Sequence, residues 1–282
     1  MKPILVHCHI FYPELWAELK SRLLNIRPYA FDLFVTMVED HKEIVADILK
    51  NFPEARIEIV ANRGYDVAPF VHILRSVCLD DYSLVVKVHT KRDMPTGSLL
   101  GTVNVGGNRW RQYALSFLKT PQVFDKCVKA FDCNSKLGMV ANAHLILKKD
   151  TNAESADKAA DMLNDLEITK TSRTSFVAGT MFMVRASIMA PLQSLKADMA
   201  DIPDDRHQQM GVAHAMERLF GGLVWAQGYE IADVYSSFPM TGHFWDILRK
   251  VSMFFFKRKV DKNGRYTIRI CRIPVYSRKL SV

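Results

Sequence analysis

Two short polar segments carry the side chains best suited to chemistry. The first is Asn62-Arg63-Gly64-Tyr65-Asp66-Val67-Ala68-Pro69-Phe70, and the second is Lys87-Val88-His89-Thr90-Lys91-Arg92-Asp93. Each follows an apolar run that reads as a strand. Each therefore sets charged, hydrogen-bonding groups where a parallel sheet presents them to a ligand. Such a lip suits an anionic, hydroxyl-rich small molecule, and a nucleotide-activated sugar fits that description. Gly64 lets the first turn bend tightly. Asp66 can accept from a ribose or a base, and Arg63 can pair with phosphate or with Asp66. The structural alternative is an Arg63–Asp66 pair capping the next helix, since Asp is a favoured N-cap. In the second segment His89 and Lys91 can neutralise a diphosphate directly. Asp93 keeps Mg²⁺ or Mn²⁺ open as a cofactor, because one carboxylate plus substrate phosphates can hold a divalent ion. The plainer reading is a solvated turn.

The elements that must position these groups alternate. Strands are predicted over 4–7, 31–38, 56–61 and 82–88. Helices are predicted around Leu15, Leu19 and Leu23, over 41–51, and around Phe70, Ile73, Leu74 and Val77. That order predicts right-handed βαβ units, a mainly parallel central sheet flanked by helices, and hence an α/β fold. A glycine-rich loop, open to motion, follows over 94–108. Helices are then expected over 110–118, 123–131 and 213–223, with a short one inside 151–174. Strands are expected over 137–142, 176–184 (interrupted by Gly179) and 229–234. Trp110 and Arg111, just after the loop, can hold a sugar face and a charge, or can anchor the core. Gly179 permits close backbone approach and Thr180 offers a hydroxyl. On the helix 213–223, His214 and Glu217 share a face. His214, or Asp205 upstream of that helix, is the candidate base. The alternative is that His214 and Glu217 only stabilise the fold.

The chain has 282 residues, 49% of them hydrophobic, enough for one large α/β domain with an appendage. No run of about eighteen apolar residues predicts a membrane span, and the first residues do not read as a signal peptide. The five cysteines lack zinc-type pairing, so no metal residues are assigned and free thiols in a reducing cytoplasm are expected. Charge is uneven. Residues 243–282 hold eleven Lys/Arg against two Asp/Glu, whereas the rest hold 27 against 28. The neutral body argues against nucleic acid as a partner. Over 243–259, Phe244, Ile247, Leu248, Val251 and Phe255 follow helical spacing beside Arg249, Lys250 and 257–259. This predicts an in-plane helix on an anionic leaflet; docking of its aromatic stripe on the body is the alternative. A turn at 261–264 and an alternating run over 266–270 follow. The organisation expected is a body over 1–240 and a basic, aromatic, membrane-associating tail over 241–282.

The ordered set HIFYPELWAEL, FDLFVT, ANRGYDVAPF, VVKVHTKRD, GNRWRQYAL, GMVAN, VAGTMFMVRASIMAPL and AHAMERLFGGLV closely resembles the rhamnan synthesis protein F family, over roughly residues 4–235. That family belongs to bacterial systems that build rhamnose-rich cell-wall and lipopolysaccharide glycans. The resemblance implies a glycosyltransferase with a GT-A-like nucleotide-sugar fold. The donor it implies is a nucleoside-diphosphate sugar, with dTDP-rhamnose preferred, and the acceptor a lipid-linked glycan. It further implies a peripheral place on the cytoplasmic face of the bacterial inner membrane. A non-catalytic scaffold or glycan-binding subunit of an envelope-polysaccharide complex is the alternative. Two departures bear on it. His89-Thr90-Lys91 stands where GT-A enzymes carry an Asp-x-Asp metal triplet. Gln209 and Met210 stand where the family pattern has Asp-Gly, with Asp204 and Asp205 slightly earlier.

Overall fold

The computed structural model describes residues 2–100, 103–147, 153–169, 171–196, 206–234, 256–260, 265–270 and 273–279. Strands β1 (Ile4–Ile10), β2 (Phe31–Met37), β3 (Arg56–Ile59) and β4 (Leu84–His89) lie parallel in the order β3-β2-β1-β4. Helices α1 (Trp16–Leu23), α2 (Lys42–Asn51) and α3 (Val67–Arg75) connect them. Every residue of β1 and β4 is buried, which explains their near-continuous apolar sequence.

After β4, β5 (Leu99–Leu100) pairs antiparallel with β6 (Val103–Asn104), and a Met94–Gly107 bridge closes the base. The glycine-rich loop is thus partly folded. Helices α4 (Arg109–Ala114) and α5 (Pro121–Cys133) follow. The start of α5 is locally determined: Thr120 Oγ1 accepts the Val123 N–H at 3.2 Å, and Pro121 takes the first turn.

Next come β7 (Leu137–Ala141), β8 (Ile146–Leu147), α6 (Ala153–Asp165), β9 (Phe176–Val177), β10 (Phe182–Arg185), α7 (Ala186–Met189), α8 (Arg206–Ala226) and β11 (Glu230–Asp233). The central sheet has seven strands in the order β11-β7-β10-β4-β1-β2-β3. β10 alone runs antiparallel, between β4 and β7. This is the α/β arrangement, with a mainly parallel sheet and flanking helices, that the alternation of elements predicts.

Two expectations are corrected. The predicted strand 176–184 is two strands. Gly179 (φ 80°) and Thr180 (φ 50°) take left-handed conformations that no strand accommodates, so β9 pairs with β8 while β10 enters the main sheet. The predicted tail helix falls mostly outside the described residues, but its end, β12 (Phe256–Val260), is a strand. It pairs with β13 (Arg265–Ile270), which pairs with β14 (Ile273–Lys279), all antiparallel. Cross-strand pairing overrides a helical spacing that rested on few residues there.

Core packing fixes the parts that matter for the cleft. Phe70 of α3, Phe182 of β10 and Phe220 of α8 meet edge-on with ring centroids 5.6–6.2 Å apart. This trio holds the N-terminus of α3 and the middle of α8 against the same strand. Gly221 lets α8 close on β9, since a Cβ there would strike the Ser175 carbonyl and the Phe176 backbone.

Candidate functional site

Strand register gathers buried polar groups on one face. His7 is paired with Lys87, and His9 with both His89 and Thr36. All five side chains are buried, Lys87 completely. Thr36 Oγ1 lies 2.9 Å from His7 Nε2 and 2.9 Å from His9 Nδ1, so the hydroxyl donates to one ring and accepts from the other. Burial, the main cause in each case, pulls all three histidines below their ordinary pKa, His9 to about 4. They are neutral at pH 7.

Asp66 reaches this ledge from the N-terminus of α3. It occupies the N-cap position, yet its side chain caps nothing. Its Oδ2 accepts from the Lys87 ammonium and from the Thr180 hydroxyl. Lys87 also donates to Thr180 Oγ1 at 2.8 Å, and His89 Nε2 stands 3.6 Å from Asp66 Oδ2. The capping role is therefore corrected: a fully buried ammonium demands a carboxylate more strongly than a helix end near solvent does. Burial pushes the Asp66 pKa up, but His89, Lys87 and the Thr180 hydroxyl together outweigh it and hold the carboxyl well below the usual range. Burial lowers the Lys87 pKa against the pull of Asp66; with that carboxylate in contact, the charged ammonium is the form the geometry supports.

The Gly179–Thr180 turn joins the ledge to α8. Gly179 O accepts from His89 Nε2 at 2.9 Å, and Gly179 N–H donates to Glu217 Oε1 at 2.7 Å. The Trp110 indole lies flush against Gly179, where a Cβ would come within 2.7 Å of the ring. Tyr65 (φ 54°) is another non-glycine residue in the left-handed region, and a solvent-facing one. Left-handed backbone costs such a residue about 1–2 kcal/mol, and strain of this kind concentrates at working sites.

The outer lip is built differently. Thr90 Oγ1 accepts the Phe11 and Tyr12 N–H groups at 2.9 and 2.8 Å, tying the exits of β1 and β4 together. Lys91 Nζ lies 5.8 Å from the Trp110 ring centroid, and the Arg92 guanidinium lies 4.4 Å over Tyr12 while bonding Glu14. Between ledge and lip is a cleft of about 550 Å³ at the carboxyl ends of β1 and β4.

Of the residues singled out in the sequence, Asn62, Asp66, His89, Lys91 and Asp93 line this cleft. Gly64 (φ 65°) shapes the turn behind it, and Arg63 is half-buried beside that turn. His89 belongs to the floor as a neutral hydrogen-bonding group; Lys91 is the cation of the pair that reaches the opening. Trp110 lies beneath, against Gly179. Arg111 is buried and donates to Glu18, to Asp93 and to the Lys91 carbonyl. It holds the lip in shape instead of presenting a charge. His214 lies on α8 away from the lining, and its carbonyl accepts from Arg218 at 2.7 Å. Asp205 lies outside the described residues. Lys87 was missed, although Lys87 and His89 at i and i+2 in an apolar strand signal one polar face. Glu217 shares a face with His214 in the sequence, and its side chain accepts from the Gly179 N–H; Tyr65 carries no sequence signal for its backbone.

Among the described residues no three His, Cys, Asp or Glu side chains are grouped to hold a metal ion. Asp93 is bonded to Arg111 at 2.7 Å and Asp66 to Lys87, so this donor set does not fit a protein-held cation. Nor, among the described residues, is any helix long and apolar enough to cross a membrane.

Comparison with known proteins adds the following. Residues 1–229 match the family model described as rhamnan synthesis protein F. The uncharacterized protein WxcX from two strains of Xanthomonas campestris pv. campestris is 27% identical over 237 residues. The match covers 83% of this chain and 33% of WxcX, so the chain spans about a third of the length of those relatives. Among solved structures, residues 1–349 of S. aureus TarS are 9% identical with a TM-score of 0.38, covering 76% of this chain and 56% of that one. Glucosyl-3-phosphoglycerate synthase from Mycobacterium tuberculosis, in complex with Mn²⁺, UDP and glucosyl-3-phosphoglycerate, is 9% identical with a TM-score of 0.36, covering 98% and 90%. These two structural likenesses are too distant to bear on site or activity.

Proposed function

The chain belongs to the rhamnan synthesis protein F family, and from that premise we propose that it is a glycosyltransferase of envelope-polysaccharide synthesis with a GT-A-like donor site. One observation supports this most. The Asp66 and Lys91 corners, 25 residues apart in sequence, line one cleft at the carboxyl edge of parallel strands, where α/β sheets bind nucleotides.

In this reading the donor is a nucleoside-diphosphate sugar, with dTDP-rhamnose preferred. Its diphosphate lies against Lys91 and Arg92, whose charge stabilises the leaving group as the glycosidic bond breaks. The Gly179–Thr180 turn forms the floor beneath the sugar. The acceptor is a lipid-linked glycan, reached from the cytoplasmic face of the membrane, where the basic tail contacts anionic lipid. Asp205 and His214 are the candidate bases from sequence. Mg²⁺ or Mn²⁺ dependence is read by assay in EDTA: complete loss of transfer, restored by either ion, would overturn direct neutralisation by lysine and arginine.

The primary test is a thermal-shift panel of UDP-, GDP- and dTDP-sugars. A donor at about 100 times its dissociation constant adds about 2.7 kcal/mol to stability and raises the melting temperature. No shift with any donor would leave the non-catalytic scaffold as the better reading.

A further inference from the structure

One histidine of the ledge keeps a nitrogen open to the cleft. His89 has carbonyls at both ring nitrogens, Thr90 O at 3.1 Å and Gly179 O at 2.9 Å. His9, its neighbour in the sheet, lines the same cleft and is 3% exposed. Its Nδ1 meets the Thr36 hydroxyl, and its Nε2 has no partner among the described residues. The fully buried side-chain atoms without a partner are, among those residues, His7 Nδ1 and Trp110 Nε1. His9 Nε2 is not one of them, so it is reached from the cleft. Asp66 is arranged alike. Lys87, Thr180 and His89 all address its Oδ2. Its Oδ1 has no partner among the described residues and is not fully buried, in a side chain that is 19% exposed and lines the cleft.

The atoms behind His9 decide what its Nε2 offers. Thr36 Oγ1 donates to one of the two rings beside it and accepts from the other. Were it to donate to His7 Nε2, the His7 proton would sit on Nδ1, which is buried with no acceptor. As with backbone groups, a buried N–H without an acceptor is tolerated less than an acceptor without a donor. So His7 Nε2–H donates to Thr36, Thr36 donates to His9 Nδ1, and the neutral His9 ring carries its proton on Nε2. The nearby Asp66 carboxylate acts on the His9 ring in the same sense, drawing the N–H end towards the cleft. The Thr36 carbonyl also favours a proton on this ring, but the 2.9 Å partner of Nδ1 is the hydroxyl.

We propose that His9 Nε2–H and Asp66 Oδ1 together read carbohydrate hydroxyls of the nucleotide sugar; this rests on the glycosyltransferase reading above. A hydroxyl accepts from the imidazole and donates to the carboxylate, so it satisfies both open atoms. A phosphate oxygen only accepts, and the carboxylate repels it. The ledge therefore selects hydroxyls, while Lys91 and Arg92 at the lip take the diphosphate. His9 is thus a specificity-determining residue, held in its tautomer by a buried His7–Thr36 relay. The hydroxyls are those of the ribose or those of the transferred sugar.

The test begins with the full wild-type chain. Nitrogen–proton correlation spectra of the histidine rings should show the His9 proton on Nε2; a proton on Nδ1 overturns the assignment. Titration calorimetry then compares UDP with dUDP, which lacks one ribose hydroxyl, and dTDP-rhamnose with dTDP, which lacks the sugar. Binding tighter by about tenfold in the first comparison assigns the pair to the ribose, and in the second to the sugar. Equal binding in both comparisons overturns the proposal. His9→Phe keeps a ring and removes both nitrogens, and should erase the preference; a preference kept at its wild-type size in the folded variant overturns the proposal too. If that variant does not fold, the wild-type His9 Nε2 signal decides: it should move when the preferred nucleotide binds, and an unmoved signal overturns the assignment. A chain that binds none of these nucleotides defeats the glycosyltransferase reading. The same signal is then followed with L-rhamnose and D-glucose alone, and no movement with either defeats the hydroxyl-reading pair as well.

Discussion

The Lys87–Asp66 pair and the Arg92–Glu14 pair flank the same cleft and follow opposite rules. The first is buried, with Lys87 wholly inaccessible and Asp66 also held by Thr180. The second is a surface pair with both side chains at least half exposed. Inside, water cannot replace a lost partner, so each charge depends on the other. Outside, water and salt screen the pair, and its charges stay available to an incoming anion. The inner pair holds shape, whereas the exposed Arg92 can exchange Glu14 for an incoming anion at little cost.

Lys87→Ala should break this comparison hardest. It strands a buried carboxylate, and a loss of about 3–5 kcal/mol in denaturant-measured stability is expected. A loss below about 1 kcal/mol would mean the inner pair behaves like a surface one. Next in size is a pH effect. Glu217 has its pKa raised from 4.5 to about 7 in the folded chain. Its stabilising contribution is complete below 4.5 and is lost as pH rises through about 7. Melting curves across that window should fall more steeply for wild type than for Glu217→Gln; parallel curves would place Glu217 in contact with water. Lys91→Ala should leave the melting temperature of the free protein unchanged. It should weaken donor binding by about tenfold, as loss of a charge-assisted hydrogen bond does, and reduce the sensitivity of binding to salt. Titration calorimetry at two ionic strengths reads both. Arg92→Ala is the smallest: no measurable change in stability, and a weaker loss of donor affinity than Lys91→Ala. A larger loss from Arg92 would reverse the order of the two lip cations.

Legibility followed the range of the determining interactions. The buried strands β1 and β4 show as apolar runs because both faces are covered. The start of α5 shows because Thr120 and Pro121 act within one turn. The split between β9 and β10 was half visible: Gly179 marked the interruption, but nothing local announced that Thr180 also turns left-handed to reach Asp66. The residues over 256–259 misled because their spacing suits a helix until β13 supplies a partner strand. Asp93 and Arg111 were singled out as separate ligand groups; folding bonds them to each other.

By itself the sequence determined the alternation of strand and helix, hence the parallel sheet, and with it the placing of two polar corners at the ends of its strands. Tertiary structure alone decided which of those polar groups remain open to a ligand. Periodicity assigns a side chain to a face, but a charge takes its partner from whatever the fold brings across. For Lys87 those partners are Asp66, 21 residues earlier, and Thr180, 93 residues later. Once buried together, groups so distant in the chain must satisfy one another, because no water is there to do it.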